Sequence, residues 1–228
     1  MHTLLWNEIE TVLLDMDGTL LDLHYDNQFW LHHLPRKLAE KNSVSLAEAE
    51  NFLHQEYQRT MGMLDWYCLD RWAEKLDMDI VEAKREIDHL ISIRPDSVPF
   101  LDALRDTGRD VFLVTNAHPD SLSLKIEKTA LDNHIKVLYS THQFGVTKES
   151  LSLWQQLQAE IGFDVDKTLF VDDSLSILET AKKFGIKHLL AVANPDSQKP
   201  AREISEFASV LDYRDITPDI YSEPLVRK

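Results

Sequence analysis

The sequence predicts an α/β fold, a Rossmann-like parallel sheet with an α-helical block inserted after its first strand. Three observations carry this expectation. Short apolar runs recur at Thr11–Leu14, Val111–Val114, Lys136–Tyr139, Thr168–Val171 and Lys187–Val192, each long enough for one buried strand. Helical patterns fill the intervals after the second run, and strands alternating with helices through short links build a parallel sheet covered on both faces. Between Asp22 and Arg94 no such run occurs; apolar residues instead recur every three to four positions among Glu, Lys, Gln and His.

Taken in order, Thr11–Leu14 is the first strand and ends on Asp15-Met-Asp17-Gly18-Thr19. The helical block then reads as four segments near 26–41, 46–60, 65–76 and 79–92. Ser97 to Thr107 is the next helix, with Pro99 in its first turn and Gly108 as its stop. Val111–Val114 follows and ends at Thr115-Asn116, then a helix from Asp120 to Leu131 and the strand Lys136–Tyr139. Lys148 to Ile161 reads as a helix with Leu151, Trp154, Leu157 and Ile161 on one face and Gly162 past its end. Thr168–Val171 ends at Asp172-Asp173, Ser174 caps a helix through Phe184 that Gly185 closes, and Lys187–Val192 is the last strand expected. The expected division is therefore a core of residues 1–21 and 95–228 with a helical domain of 22–94.

Composition narrows the function. The 228 residues carry 24 Lys+Arg against 39 Asp+Glu, a net charge of −15, which disfavours nucleic acid and anionic membrane surfaces as partners. Six glycines leave no Gly-rich dinucleotide or P-loop fingerprint. The single cysteine, Cys68, excludes an internal disulfide framework and, on this reading, a Cys-based zinc site. Met1 to Glu10 holds two glutamates and no basic region, so it does not read as a signal peptide. No apolar run approaches the ~18–20 residues of a membrane span. A cytoplasmic protein is expected; nothing in the sequence sets its oligomeric state.

In open parallel sheets ligands bind beyond the carboxyl ends of the strands. Polar residues stand there at Asp15 and Asp17, at Thr115, and at Asp172 and Asp173, with Lys148 at the start of a later helix. Singly these are weak signals: an Asx turn, a helix N-cap, a surface lysine. Together they bring four carboxylates into one volume, which demands a cation or retained protons. All-oxygen ligands favour Mg²⁺, and a site of carboxylates, Mg²⁺, Lys148 and the Thr115 hydroxyl suits a phosphate group.

These residues resemble the four motifs of the haloacid dehalogenase-like superfamily of phosphatases: Asp15-Met-Asp17-Gly-Thr-Leu-Leu-Asp22, Thr115-Asn116, Lys148 and Asp172-Asp173-Ser174. The helical block resembles that superfamily's cap of the first type. In more detail the chain is similar to the bacterial GMP/IMP nucleotidases, through Asp26-Asn27, Phe29-Trp30, Trp66-Tyr-Cys-Leu-Asp70, Thr115-Asn-Ala-His-Pro119, Ser140-Thr-His142, Phe144-Gly145 and Asn194-Pro-Asp-Ser197. The resemblance implies that Asp15 is the nucleophile and forms an aspartyl-phosphate, that Asp17 is the general acid and base, and that Thr115, Asn116 and Lys148 bind the phosphoryl group. It implies Mg²⁺ held by Asp15, the Asp17 carbonyl, Asp173 and Asp172. The chain departs from many members at Ile177, where they carry an acid, and matches others that place one at Asp172; the role of Asp172 is the less defined of the pair.

The implied activity is a Mg²⁺-dependent 5′-nucleotidase acting on GMP and IMP. A sugar-phosphate or phosphoglycolate phosphatase shares the same motifs, and a phospho-Asp signalling domain or a nucleotide-binding protein is the alternative of another class. Asp17 argues against a dehalogenase, and the late position of the acidic pair argues against a receiver domain. Phe29, Trp30, Trp66, Tyr67 and Trp72 are candidates for stacking on a base, Arg59 and Arg71 for attracting an anion, and His118 is the histidine nearest the motifs.

Overall fold

The computed structural model describes residues 4–225; Met1–Thr3 of the N-terminal segment and the last three residues lie outside it. Strand β1 (Thr11–Leu14) is followed by α1 (His24–Gln28), a π-turn at Phe29–His33, and α2 (Leu34–Asn42). Next come α3 (Leu46–Thr60), α4 (Leu64–Tyr67), α5 (Leu69–Leu76) and α6 (Ile80–Arg85). The remainder alternates: α7 (Ser97–Asp106), β2 (Asp110–Thr115), α8 (Pro119–Thr129), β3 (Val137–Ser140), α9 (Leu151–Ile161), β4 (Thr168–Asp172), α10 (Leu175–Phe184) and β5 (His188–Val192). It closes with β6 (Ala208–Val210) and α11 (Thr217–Ser222), neither of which the sequence pattern announced.

All six strands are parallel, in the order β3-β2-β1-β4-β5-β6. The chain builds outward from β1 to one side and then crosses to the other. The reversal opens a crevice beyond the carboxyl ends of β1 and β4. Strand periodicity sorts the core into two faces. Val12, Leu14, Leu113 and Val171 pack with Phe100, Leu104 and Tyr213 on one side. Leu13, Val114 and Phe170 pack with Trp154, Leu157 and Leu178 of α9 and α10 on the other. The helices between β1 and α7 bury their own cluster, including Phe29, Leu53, Tyr57, Trp72 and Ile80.

Four local features differ from the expected elements. The helix expected near 26–41 is interrupted because Pro35 has no N–H to donate and its ring crowds the preceding turn; the Leu34 N–H reaches back to Phe29 O instead. The helix expected over 65–76 breaks at Cys68, whose backbone is extended at φ −80°, ψ 106°. Lys148 lies ahead of α9 rather than within it, because Ser150 caps that helix by accepting from Ser152 N–H. Ser174 holds the cap position of α10 without making a side-chain cap; its N–H instead donates to Asp172 Oδ1 at 2.7 Å.

The loop at 194–197 ties the start of the helical layer to the sheet. Asn27 Nδ2 donates to Asp196 Oδ2 at 2.7 Å, and Leu23 N–H to Pro195 O at 2.9 Å. Among the described residues no helix is long and apolar enough to cross a membrane.

Candidate active site

Register places the first acids. Leu14 pairs with Val171 across β1 and β4, so Asp15 emerges level with Asp172. Asp173 follows at once, and one carboxylate oxygen from each of Asp15, Asp172 and Asp173 lies within 4.8 Å of the others. Gly18, at φ +88°, closes the turn after Asp17. A Cβ there would stand 2.9 Å from both Asp173 Cγ and Pro195 Cβ, so only glycine fits.

Lys148 crosses from the β3–α9 connection into this group. Its ammonium, 2% exposed, donates to Asp15 Oδ1 at 2.5 Å and Asp172 Oδ2 at 2.8 Å. Asn116 is the reason it arrives there. Its Oδ1 accepts from the Lys148 N–H at 3.0 Å and from Thr141 Oγ1 at 3.1 Å, while its Nδ2 donates to Glu149 Oε2 at 3.0 Å. The Asn116 side chain is thus committed to holding Lys148 and Glu149. Thr115 is buried at the end of β2, and its Oγ1 accepts from Ala117 N–H at 3.0 Å.

Asp17 faces a different partner. Its Oδ1 lies 2.6 Å from Lys125 Nζ, which also donates to Asp26 Oδ2 at 2.7 Å; Lys84 Nζ donates to Asp26 Oδ1 at 3.2 Å. Lys125 and Lys84 are each 1% exposed. Neither was among the expected residues, and the stripe that marks them shows only once burial is known. Lys84 falls four positions after buried Ile80, and Lys125 four after buried Ser121, so each lysine sits on its helix's inward stripe. Lysines are almost never fully buried unless paired, and these two are paired to Asp17 and Asp26 inside one cavity, which marks a built site.

The electrostatics follow from burial. Burial pushes Asp15 up to about 6, with Asp172 adding repulsion and Lys148 opposing it. Burial pushes Asp17 up to about 7, with Lys125 opposing and Asp26 and Asp15 reinforcing it. Asp173 rises well above the carboxylate range from burial and then from Asp172 and Asp15. Burial would also raise Asp26, but Lys125 and Lys84 outweigh it and hold Asp26 at about 2. Three crowded acids of which one, Asp173, is so reluctant to ionise form an all-oxygen donor set that fits a hard cation such as Mg²⁺.

The group opens into a cavity of about 310 Å³. Asp15, Asp17, Asp172, Asp173, Thr115, Asn116 and Lys148 all line it, so the sequence-expected residues converge on one space. Lys84, Trp30, Trp66 and Tyr67 from the helical layer, His118 from the β2–α8 connection and Lys125 from α8 also line it. Trp30 and Trp66 stack at 5.9 Å with 29° between their planes. Phe29 and Trp72, by contrast, are buried in the helical core. Arg59 and Arg71 are absent from the wall; they pair with Glu56 and Asp65.

Comparison with known proteins bears on the family and the fold. The family model described as haloacid dehalogenase-like hydrolase matches residues 9–185. The chain is 43% identical over 215 residues to the GMP/IMP nucleotidase YrfG of Escherichia coli (strain K12), covering 94% of this chain and 97% of that one. The Shigella flexneri protein of the same name matches equally. Among solved structures, a HAD phosphatase from Thermococcus onnurineus superposes with a TM-score of 0.79 at 22% identity, covering 95% of this chain and 100% of that one. An L-2-haloacid dehalogenase from Xanthobacter autotrophicus superposes at 0.64 with 16% identity, covering 92% and 97%; these likenesses concern the fold. With its family model running from β1 through α10 and taking in both acidic strand ends, and a relative matched over nearly its full length, this chain belongs to the haloacid dehalogenase-like hydrolases.

Proposed function

We propose that the protein is a Mg²⁺-dependent 5′-nucleotidase that hydrolyses purine nucleoside monophosphates, GMP and IMP, to nucleoside and phosphate. The observation that carries this reading is that the phosphate-handling acids and the stacked pair Trp30–Trp66 share one cavity. The 43% identity to a GMP/IMP nucleotidase supports the same substrate class. Residues 22–94 act as the cap over a core of 1–21 and 95–228, and the cap's aromatic wall receives the base.

Asp15 attacks phosphorus in line as a carboxylate. A bond forms between its oxygen and phosphorus while the bond to the leaving 5′-oxygen breaks. Asp17, raised to about 7, carries the proton that the 5′-oxygen takes. It then withdraws a proton from the water that attacks phosphorus, releasing phosphate and restoring Asp15. Lys148 neutralises the phosphoryl oxygens, Thr115 hydrogen-bonds one of them, and Asn116 positions Lys148. Lys125 anchors the Asp17 carboxylate, so the acid is aimed before substrate arrives. Asp15, Asp172 and Asp173, with the Asp17 carbonyl, would hold Mg²⁺, which when bound adds charge neutralisation at the phosphoryl oxygens. A cytoplasmic enzyme fits the single unpaired thiol of Cys68.

The test is phosphate release from a panel of purine and pyrimidine nucleotides, sugar phosphates and phosphoglycolate in Mg²⁺. Release from GMP and IMP far above the rest supports the reading. Selective release from a sugar phosphate keeps the chemistry and removes the purine.

A further inference from the structure

A second set of metal-ligating side chains converges at the seam between the helical layer and the sheet. Cys68 stands at the break between α4 and α5. His118 caps α8 and is 8% exposed. His142 lies in the 3₁₀ turn Thr141–Phe144 after β3. One donor atom of each lies within 4.8 Å of the other two, and the imidazoles meet edge to face at 5.0 Å. A tetrahedral zinc with bonds of about 2.0–2.3 Å sets its ligand atoms roughly 3.5 Å apart, a modest tightening from this spacing.

The surroundings orient the donors. The Asn116 backbone carbonyl faces the His142 ring and favours a proton there, while His142 Nε2 is buried without a hydrogen-bond partner. That is the arrangement of a metal-binding histidine, one nitrogen fixed by a carbonyl and the other offering its lone pair. His118 Nδ1 accepts from Asp120 N–H at 3.3 Å and lies 3.5 Å from Asp120 Oδ2. Zinc on Nε2 requires the ring proton on Nδ1, so on binding Nδ1 exchanges the Asp120 amide for the Asp120 carboxylate. Asp70 Oδ2, 3.5 Å from that Nε2 and exposed, is within reach as a fourth ligand. The single cysteine therefore does not exclude a thiolate-containing site, because histidines remote in sequence complete it.

We propose that Cys68, His118 and His142 form a binding site for a soft divalent cation, Zn²⁺, separate from the hard-cation group of Asp15, Asp172 and Asp173. Thiolate with imidazole selects zinc where carboxylate oxygens select magnesium. Two of the donors come from strand-end segments of the sheet and one, with Asp70, from the helical layer. An ion held here clasps the two together beside the cavity that His118 lines, so zinc restrains substrate entry and release.

The test is equilibrium dialysis of the reduced, metal-stripped protein against Zn²⁺ with excess Mg²⁺ present. Wild type is expected to retain one Zn²⁺ per chain, and Cys68→Ser and His142→Asn to weaken it by at least about tenfold. Asp173→Asn is expected to retain zinc unchanged. Co²⁺ in place of Zn²⁺ is expected to give a thiolate-to-metal charge-transfer band that Cys68→Ser lacks. Circular dichroism of each variant confirms folding, and His142→Gln replaces either variant that misfolds. Zinc lost in Asp173→Asn but kept in Cys68→Ser overturns the proposal, as does the absence of stoichiometric zinc in wild type. None of these measurements depends on phosphatase activity, so they fail or succeed apart from the nucleotidase reading.

Discussion

The two walls of the cavity are built by different physics. The sheet wall carries Asp15, Thr115 and Asp172 at or just past strand ends, where parallel hydrogen-bonding register fixes their relative heights. The helical wall carries Lys84, Trp30 and Trp66, whose positions depend on how short helices pack around Leu53, Tyr57 and Trp72. Register is a rigid constraint, because slipping one strand by a residue would exchange its two faces. Helix packing tolerates shifts. On the proposed function, phosphate chemistry belongs on the sheet wall and substrate selection on the helical wall, and variants on the two walls should fail in different ways.

The largest effect is expected at Asp17. Asp17→Asn should lower kcat for GMP by roughly 10²–10⁴-fold, the usual contribution of a general acid. With an aryl phosphate, whose leaving group needs no proton, the loss should shrink sharply. An equal loss with both substrates would remove Asp17 as the acid. On the same wall, Lys148→Met leaves Asp15 and Asp172 buried without their cation. Breaking such a pair costs about 3–5 kcal/mol, so denaturant unfolding without Mg²⁺ should show a loss of that size, partly restored by Mg²⁺.

On the helical wall the signature should be a change in KM. Trp66→Ala should raise KM for GMP by roughly 5- to 150-fold, the value of about 1–3 kcal/mol for one base stacked on an aromatic ring. Ribose 5-phosphate, which has no base, should be nearly unaffected. A matched loss for both would make Trp66 a packing residue and blur the division between the walls.

The contrast also explains what was legible in the sequence. Five strands and the sheet acids could be read because apolar runs and polar strand ends are local signals. Strand β6, three residues long, is too short for alternation to show, and α11 is a short helix entered through Pro218. Lys84 and Lys125 were hidden because a lysine on the inward stripe of a helix looks like a surface residue until the packing is known. The same holds for Cys68 with His118 and His142, brought together only by docking the helical layer on the sheet. Arg59 and Arg71 misled for the opposite reason, since charge alone does not tell which face of a helix looks into a cavity.

A smaller effect is expected in the pH dependence of stability. Asp15 and Asp17 are raised to about 6 and about 7, above the ordinary carboxylate value. The folded chain therefore keeps protons that the unfolded chain has released. Their contribution to stability is full below about pH 4 and is lost as pH rises through both folded values. Asp26, held at about 2, acts in the other direction but loses its contribution only below the ordinary carboxylate range. Metal-free protein should thus melt several degrees lower at about pH 8 than at about pH 5.5, and Mg²⁺ should narrow the gap. A melting temperature that rises over this interval would contradict the burial-driven shifts.

The most direct measurement is rapid acid quench of wild type turning over ³²P-labelled GMP in Mg²⁺, followed by peptide mapping beside Asp15→Asn. A transient, base-labile phosphate on the peptide containing Asp15, absent from the variant, is the expected result. Turnover with no protein-bound phosphate, or label on another peptide, would contradict the assignment of Asp15 as nucleophile.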